Sequence, residues 1–88
     1  MNRPYRVRIS ARAERDLLRL PEKIGAACLD FIFGPLAEDP YRLGGALSGQ
    51  LAGPRSARRG SYRIVYGVND EVLYIDIVHI DHRGNVYR

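Results

Sequence analysis

Four arginines and no acid occupy the nine positions from Arg55 to Arg63, in the run Arg-Ser-Ala-Arg-Arg-Gly-Ser-Tyr-Arg. From Tyr62 the residues alternate, so that Tyr62, Ile64, Tyr66 and Val68 turn one way while Arg63 and Val65 turn the other. A strand that buries aromatic and β-branched groups on one face and presents a guanidinium on the other is a rigid mount for that charge. A fixed guanidinium fork suits the oxygens of a phosphate. The stretch reads as a basic loop running into a strand from Ser61 to Val68.

The distribution of charge singles out the same place. Residues 1–54 carry eight bases and six acids, 55–63 four bases, 64–81 four acids and 82–88 two arginines, for a net charge of +4. Thirteen of the fourteen bases are arginine, which favours a nucleic acid or other phosphate partner over a merely solubilised surface. A compositional arginine bias explains the scattered helix arginines, Arg12, Arg15 and Arg19, but not the cluster.

The elements that must position these groups follow from the pattern along the chain. Tyr5 to Ile9 alternates apolar and basic residues, which predicts a short strand with Tyr5, Val7 and Ile9 inward and Arg6 and Arg8 on the opposite face. Ser10 is an N-cap candidate for a first helix reaching Leu20, with Ala13, Leu17 and Leu20 on one stripe. Pro21 suits the first turn of a second helix that ends near Gly34-Pro35. Residues 36–53 are rich in Gly and Pro and predict a loop, with one short strand at 47–51. Asn69-Asp70 signals a hairpin turn, and Val72 to Ile80 predicts a central antiparallel strand ended by Asp81. The order is that of an α+β fold, an N-terminal strand and a two-helix hairpin packed on one face of a small antiparallel sheet. The other sheet face stays partly open and carries arginines.

Eighty-eight residues, 45% apolar and 27% charged, predict one small globular domain spanning 1–88. No apolar run is long enough to span a membrane and no signal peptide is indicated, so the expected location is the cytoplasm. Cys28 has no partner for a disulfide and is read as a small core residue.

Gly60-Ser61-Tyr62-Arg63-Ile64-Val65-Tyr66, the hairpin after it, and the tail His82-Arg83-Gly84-Asn85-Val86-Tyr87-Arg88 resemble the RelE/ParE toxin superfamily, in particular the RelE-like mRNA interferases. The helix-hairpin start, the Asp39-Pro40 loop and Leu51-Ala52-Gly53 extend the resemblance over essentially the whole chain. It implies the toxin of a type II toxin–antitoxin pair, which enters the ribosomal A site and cuts mRNA there. It also implies a cognate acidic antitoxin, and contact with DNA only through the toxin–antitoxin complex. The family's functional groups fall on Arg63, Arg83 and Tyr87. Lysines that members of this type often carry upstream of the strand arginine would fall, without gaps, on Pro54 and Ser56. Arg55, Arg58 and Arg59 are then the nearest charges and, with Arg6 and Arg8, the expected RNA contacts.

Cleaving RNA without a metal requires a base for the 2′-hydroxyl, cations for the charge on five-coordinate phosphorus, and an acid for the leaving 5′-oxygen. The sequence has no cysteine–histidine cluster for zinc and no group of carboxylates beside the arginines for magnesium, so neither metal nor cofactor is expected. Arg63 and Arg83 would hold the phosphate. The proton carrier is Tyr87, on the resemblance, or His82, whose intrinsic pKa suits the task better. A purely structural role would instead pair Arg63 with Asp76 on the neighbouring strand. The alternative functions are a ParE-type toxin that poisons DNA gyrase without cutting RNA, and a DNA-binding partner acting only within a repressor complex.

Overall fold

The computed structural model describes residues 4–47 and 53–82. Strand β1 (Arg6–Ile9) leads through Ser10 into α1 (Ala11–Arg19) and then α2 (Glu22–Phe31). The Ser10 side chain accepts a hydrogen bond from the Ala13 backbone N–H at 3.0 Å, which satisfies one of the free donors of the first turn. Pro21 stands one position earlier than expected, as the N-cap of α2, where its lack of an N–H costs no hydrogen bond. Gly34-Pro35 does not end the helix. The chain passes through it in a wider π-type turn, Ile32–Leu36, which accommodates the proline ring that an α-helical turn would exclude.

The region expected as a loop is more ordered than its composition suggests. Asp39 caps a short helix α3 (Pro40–Leu43), its carboxylate accepting from Arg42 N–H, with Pro40 at the first helical position. A short strand, β2, lies at Gly45–Ala46; of the strand expected at 47–51, Leu47 is not in a strand and 48–51 fall outside the described residues. The expected basic loop is itself a strand, β3 (Arg55–Arg59), hydrogen-bonded to β2 and β4. A two-residue turn with Gly60 at φ +61° joins it to β4 (Tyr62–Asn69). The Asn69 side chain accepts from the backbone of Glu71 and Val72, so the next turn runs through Leu73 and β5 (Tyr74–His82) begins two residues later than expected.

The five strands form one sheet in the order β1-β5-β4-β3-β2. The hairpins β2 to β5 are antiparallel, whereas β1 joins β5 in parallel at the far edge, with Val7 opposite Ile75 and Ile9 opposite Ile77. One sheet face and the helices enclose the core: Ile64, Tyr66, Ile75, Ile77 and Ile80 meet Ala13, Ile32 and Leu36, with Tyr5, Val7, Ile9, Leu17 and Leu20 at its margin. The other face carries the alternate residues, including Arg6, Arg8, Arg58 and Arg63. Among the described residues no helix is long and apolar enough to cross a membrane.

Arg55, expected to meet RNA, turns to the core side and is only 6% exposed. Its Nη2 donates to the carbonyls of Gly44 (2.8 Å) and Tyr41 (3.2 Å), and its guanidinium lies 4.9 Å from the centre of the Tyr41 ring. Gly44 must be glycine, because a Cβ would fall 2.2 Å from the Tyr66 hydroxyl and 2.6 Å from the Ser56 carbonyl. The clamp fixes α3 against the sheet. Arg55→Ala leaves two inward carbonyls without a donor and opens a void, so we expect a loss of about 2–4 kcal/mol in urea unfolding. A surface arginine would leave the midpoint unmoved.

A second tie is electrostatic. Tyr5 and Tyr41 both donate to Asp70, each at 2.5 Å, joining the start of β1 and α3 to the β4–β5 turn. The hydrogen bond to Asp70, ahead of burial, pushes the Tyr5 hydroxyl up to about 12, and the same pairing raises Tyr41. The bonds from Tyr41 and Tyr5 hold the Asp70 carboxyl below its usual range. Between pH of about 10, where an unfolded tyrosine titrates, and about 12, the folded state keeps a proton that the unfolded chain has lost. Stability should therefore fall with rising pH in that window. The sign reverses for Asp70, whose contribution is lost as pH falls through its lowered pKa. Urea midpoints against pH should show a shallower alkaline decline for Tyr5→Phe than for the native chain; equal slopes would contradict the assignment.

Candidate active site

The site begins where β1 ends. β1 covers the outer edge of β5 only as far as Ile77, and from Val78 onward the β5 backbone needs other partners. Helix α1 supplies them. Ser10 Oγ donates to the Val78 carbonyl at 2.7 Å, its backbone N–H donates to the Ile77 carbonyl at 3.0 Å, and Asp16 Oδ2 accepts from Ile80 N–H at 3.0 Å.

This edge coincides with a slip in register. Tyr66 faces Ile77 and Val65 faces His79, which makes Val78 an extra residue in β5. The bulge inverts the strand's sidedness. Ile75 and Ile77 point to the core, and beyond Val78 it is Ile80 that does so, while His79 and Asp81 turn to the open face. Asp81 thereby comes opposite Arg63.

Arg63 Nη2 donates to Asp81 Oδ2 at 3.3 Å, and both side chains keep partial access to solvent. The other carboxylate oxygen lies 3.2 Å from His79 Nδ1, a buried nitrogen that makes no hydrogen bond among the described residues. Arg63 Nε is buried and also has no partner among the described residues. Arg58 stands beside Arg63 on β3. The structural pairing of Arg63 with Asp76 is not found: Asp76 sits opposite Gly67 and is held by Arg8 at 2.7 Å.

Around the end of the sheet lies an open cleft of about 780 Å³, between α1 and the β4–β5 pair. Arg63 and Asp81 enter it from one side and Tyr62 and His82 from the other, while Arg12, Asp16 and Arg19 line the helix wall. The Tyr62 and His82 rings are 4.8 Å apart and tilted by 52°. Neither Arg12 nor Arg19 forms an ion pair among the described residues. A phosphate chain threading the cleft would meet cations on both walls.

Of the residues chosen from the sequence, Arg63 and His82 meet in this cleft; Arg58, next to Arg63 on β3, borders a separate depression together with Arg59. Arg83 and Tyr87 lie outside the described residues. Arg59 faces Tyr62 across the β3–β4 pair and borders that depression with Asp30, Phe31 and Pro35. Arg6 and Arg8 lie on the open face across β5 from Arg63, and Arg8 is engaged both by Asp76 and by the Tyr74 ring 4.2 Å away. Sequence reasoning missed Arg12, Arg19 and Asp81 as cleft residues. A signal for Asp81 was present, since the buried isoleucines step 75, 77, 80 and an odd step within a strand marks a bulge.

Comparison with known proteins gives the family. Residues 7–87 match the family described as the ParE toxin of type II toxin–antitoxin systems, parDE. The chain is 54% identical over 85 residues to Toxin RelE of Mycobacterium tuberculosis, covering 97% of this chain and 88% of the relative. It is 47% identical over 85 residues to Toxin RelG of the same organism, covering 97% and 98%. The fold matches a chain of the toxin–antitoxin complex RelBE2 from that organism with a TM-score of 0.84 at 48% identity, covering 91% of this chain and 99% of that one. With likeness in sequence and in fold running nearly end to end, the chain belongs to the RelE/ParE toxin superfamily of type II toxin–antitoxin systems.

Proposed function

We propose that this chain is a ribosome-dependent endoribonuclease that cleaves mRNA in the A site by attack of a 2′-hydroxyl on the adjacent phosphate, and so arrests translation in the cytoplasm. The observation that carries the reading is Arg63: a guanidinium fixed on an interior strand, opening into a cleft with His82 and facing two helix arginines that form no ion pair among the described residues. The identity to a protein named Toxin RelE supports it. Arg63 and Arg83 hold the phosphate and stabilise the charge that develops on it. The proton carrier is Tyr87, with His82 as the alternative. Arg58, Arg59, Arg6 and Arg8 contribute to the basic surface that meets RNA, and no metal takes part.

The RelBE2 toxin is seen in complex with its antitoxin. For this chain we propose likewise an acidic antitoxin whose helix or strand lies across the toxin and keeps the arginines from the ribosome. DNA is then contacted only through that complex. The name of the matched family favours a second reading, a toxin that binds and poisons DNA gyrase.

Primer extension on mRNA from an in vitro translation reaction separates the two, since only the nuclease leaves cuts within ribosome-bound codons. In that assay Arg63→Ala should cut at least about a hundredfold more slowly, as loss of one preorganised donor typically does. Tyr87→Phe, which deletes only a hydroxyl, should cost about a hundredfold to ten-thousandfold. Full activity in Tyr87→Phe with none in His82→Gln moves the proton transfer to His82. Uncut mRNA with trapped gyrase–DNA complexes would favour the second reading.

A further inference from the structure

The reaction needs two proton transfers; one carrier, Tyr87 or His82, serves the leaving oxygen, and the cleft holds one group placed to serve the attacking hydroxyl. We propose that Asp81 is the general base that takes the proton of the attacking 2′-hydroxyl. The inference rests on the ribonuclease reading and goes beyond it.

The 2′-hydroxyl and the phosphate it attacks are carried by the same ribose, so the base must lie beside the cation that binds the phosphate. Asp81 touches that cation, with Oδ2 at 3.3 Å from Arg63 Nη2. The guanidinium can hold both groups, because four of its five donors are on Nη1 and Nη2, outside the buried Nε, and Asp81 engages one of them. An ionised carboxylate has about four lone-pair positions. The bond from Arg63 takes one of them, and Asp81 lines the cleft. The remaining candidates fit less well. Asp16 lies on the helix wall and already accepts from Ile80 N–H, and the arginines cannot give up a proton.

Chemically the step is complete in itself. The 2′-oxygen transfers its proton to an Asp81 oxygen and forms a bond to phosphorus, the bond from phosphorus to the 5′-oxygen breaks, and that oxygen takes a proton from His82 or Tyr87. The products are a 2′,3′-cyclic phosphate and a 5′-hydroxyl.

The test compares Asp81→Asn, which keeps an acceptor for Arg63, with Asp81→Glu and the native toxin on ribosomes programmed with mRNA. Single-turnover cutting is measured on ordinary mRNA, and affinity on mRNA whose attacking 2′-hydroxyl is methylated. We expect Asp81→Asn to cut about a hundredfold to ten-thousandfold more slowly, as loss of a general base does, while binding the methylated complex at least as tightly because an anion beside the phosphate is gone. Asp81→Glu should recover a substantial part of the rate. Cutting by Asp81→Asn at or above the native rate overturns the proposal and makes Asp81 a screen over Arg63. A parallel loss of cutting and affinity also overturns it, in favour of a structural ion pair. Failure of the native toxin to cut mRNA removes the ribonuclease reading and this inference together, whereas native cutting matched by Asp81→Asn removes this inference alone.

Discussion

A strand that outruns its neighbour leaves backbone donors and acceptors on a bare edge, and much of this fold's functional geometry follows from how β5 meets that constraint. β1 stops at Ile9, opposite Ile77. Beyond it the Ser10 hydroxyl and the Asp16 carboxylate of the α1 region take over the Val78 carbonyl and the Ile80 N–H. Ser10 also caps α1, so one side chain sets both where the helix starts and how the strand edge is closed. The bulge at Val78 lies within this stretch, and its single extra residue decides which side chains of β5 face Arg63.

The arginines divide by what surrounds them rather than by where they fall in the sequence. Arg55 is a structural clamp on two carbonyls, Arg8 is paired with Asp76, and Arg42 with Asp39. Arg12 and Arg19 have no ion pair among the described residues and oppose Arg63 across the cleft. Exposed ion pairs contribute little to stability, and an arginine without one exposes its donors to an incoming phosphate. The cleft thus sets two arginines without ion pairs among the described residues against a third that is held by Asp81.

Local signals carried much of the fold. Ser10 announced the first helix, the alternation from Tyr62 to Val68 gave the sidedness of β4, and Arg63 followed from that alternation alone. Non-local contacts hid the rest. Arg55–Arg59 lacks the β-branched residues that mark strands, and it forms one because β2 and β4 flank it. The burial of Arg55 depends on carbonyls of Tyr41 and Gly44, which no local pattern reveals. Arg63 faces Asp81 rather than Asp76, the partner a two-residue turn at Asn69-Asp70 would give it, because four residues, 70–73, separate β4 from β5 and the bulge at Val78 shifts the register by one more. Only the bulge has a local signal, in the odd spacing of Ile77 and Ile80. Arg83 and Tyr87 came from family resemblance and lie outside the described residues.

The central structural claim is that α1 sets the register of β5 and thereby builds the site. Hydrogen–deuterium exchange at the Ile80 amide in Asp16→Ala, read together with mRNA cutting by the same variant, tests it most directly. The account predicts rapid exchange at Ile80, continued protection of Ile64 and Ile75 in the core, and a loss of cutting despite a folded chain. An Ile80 amide as protected as in the native protein, with cutting at the native rate, would contradict it.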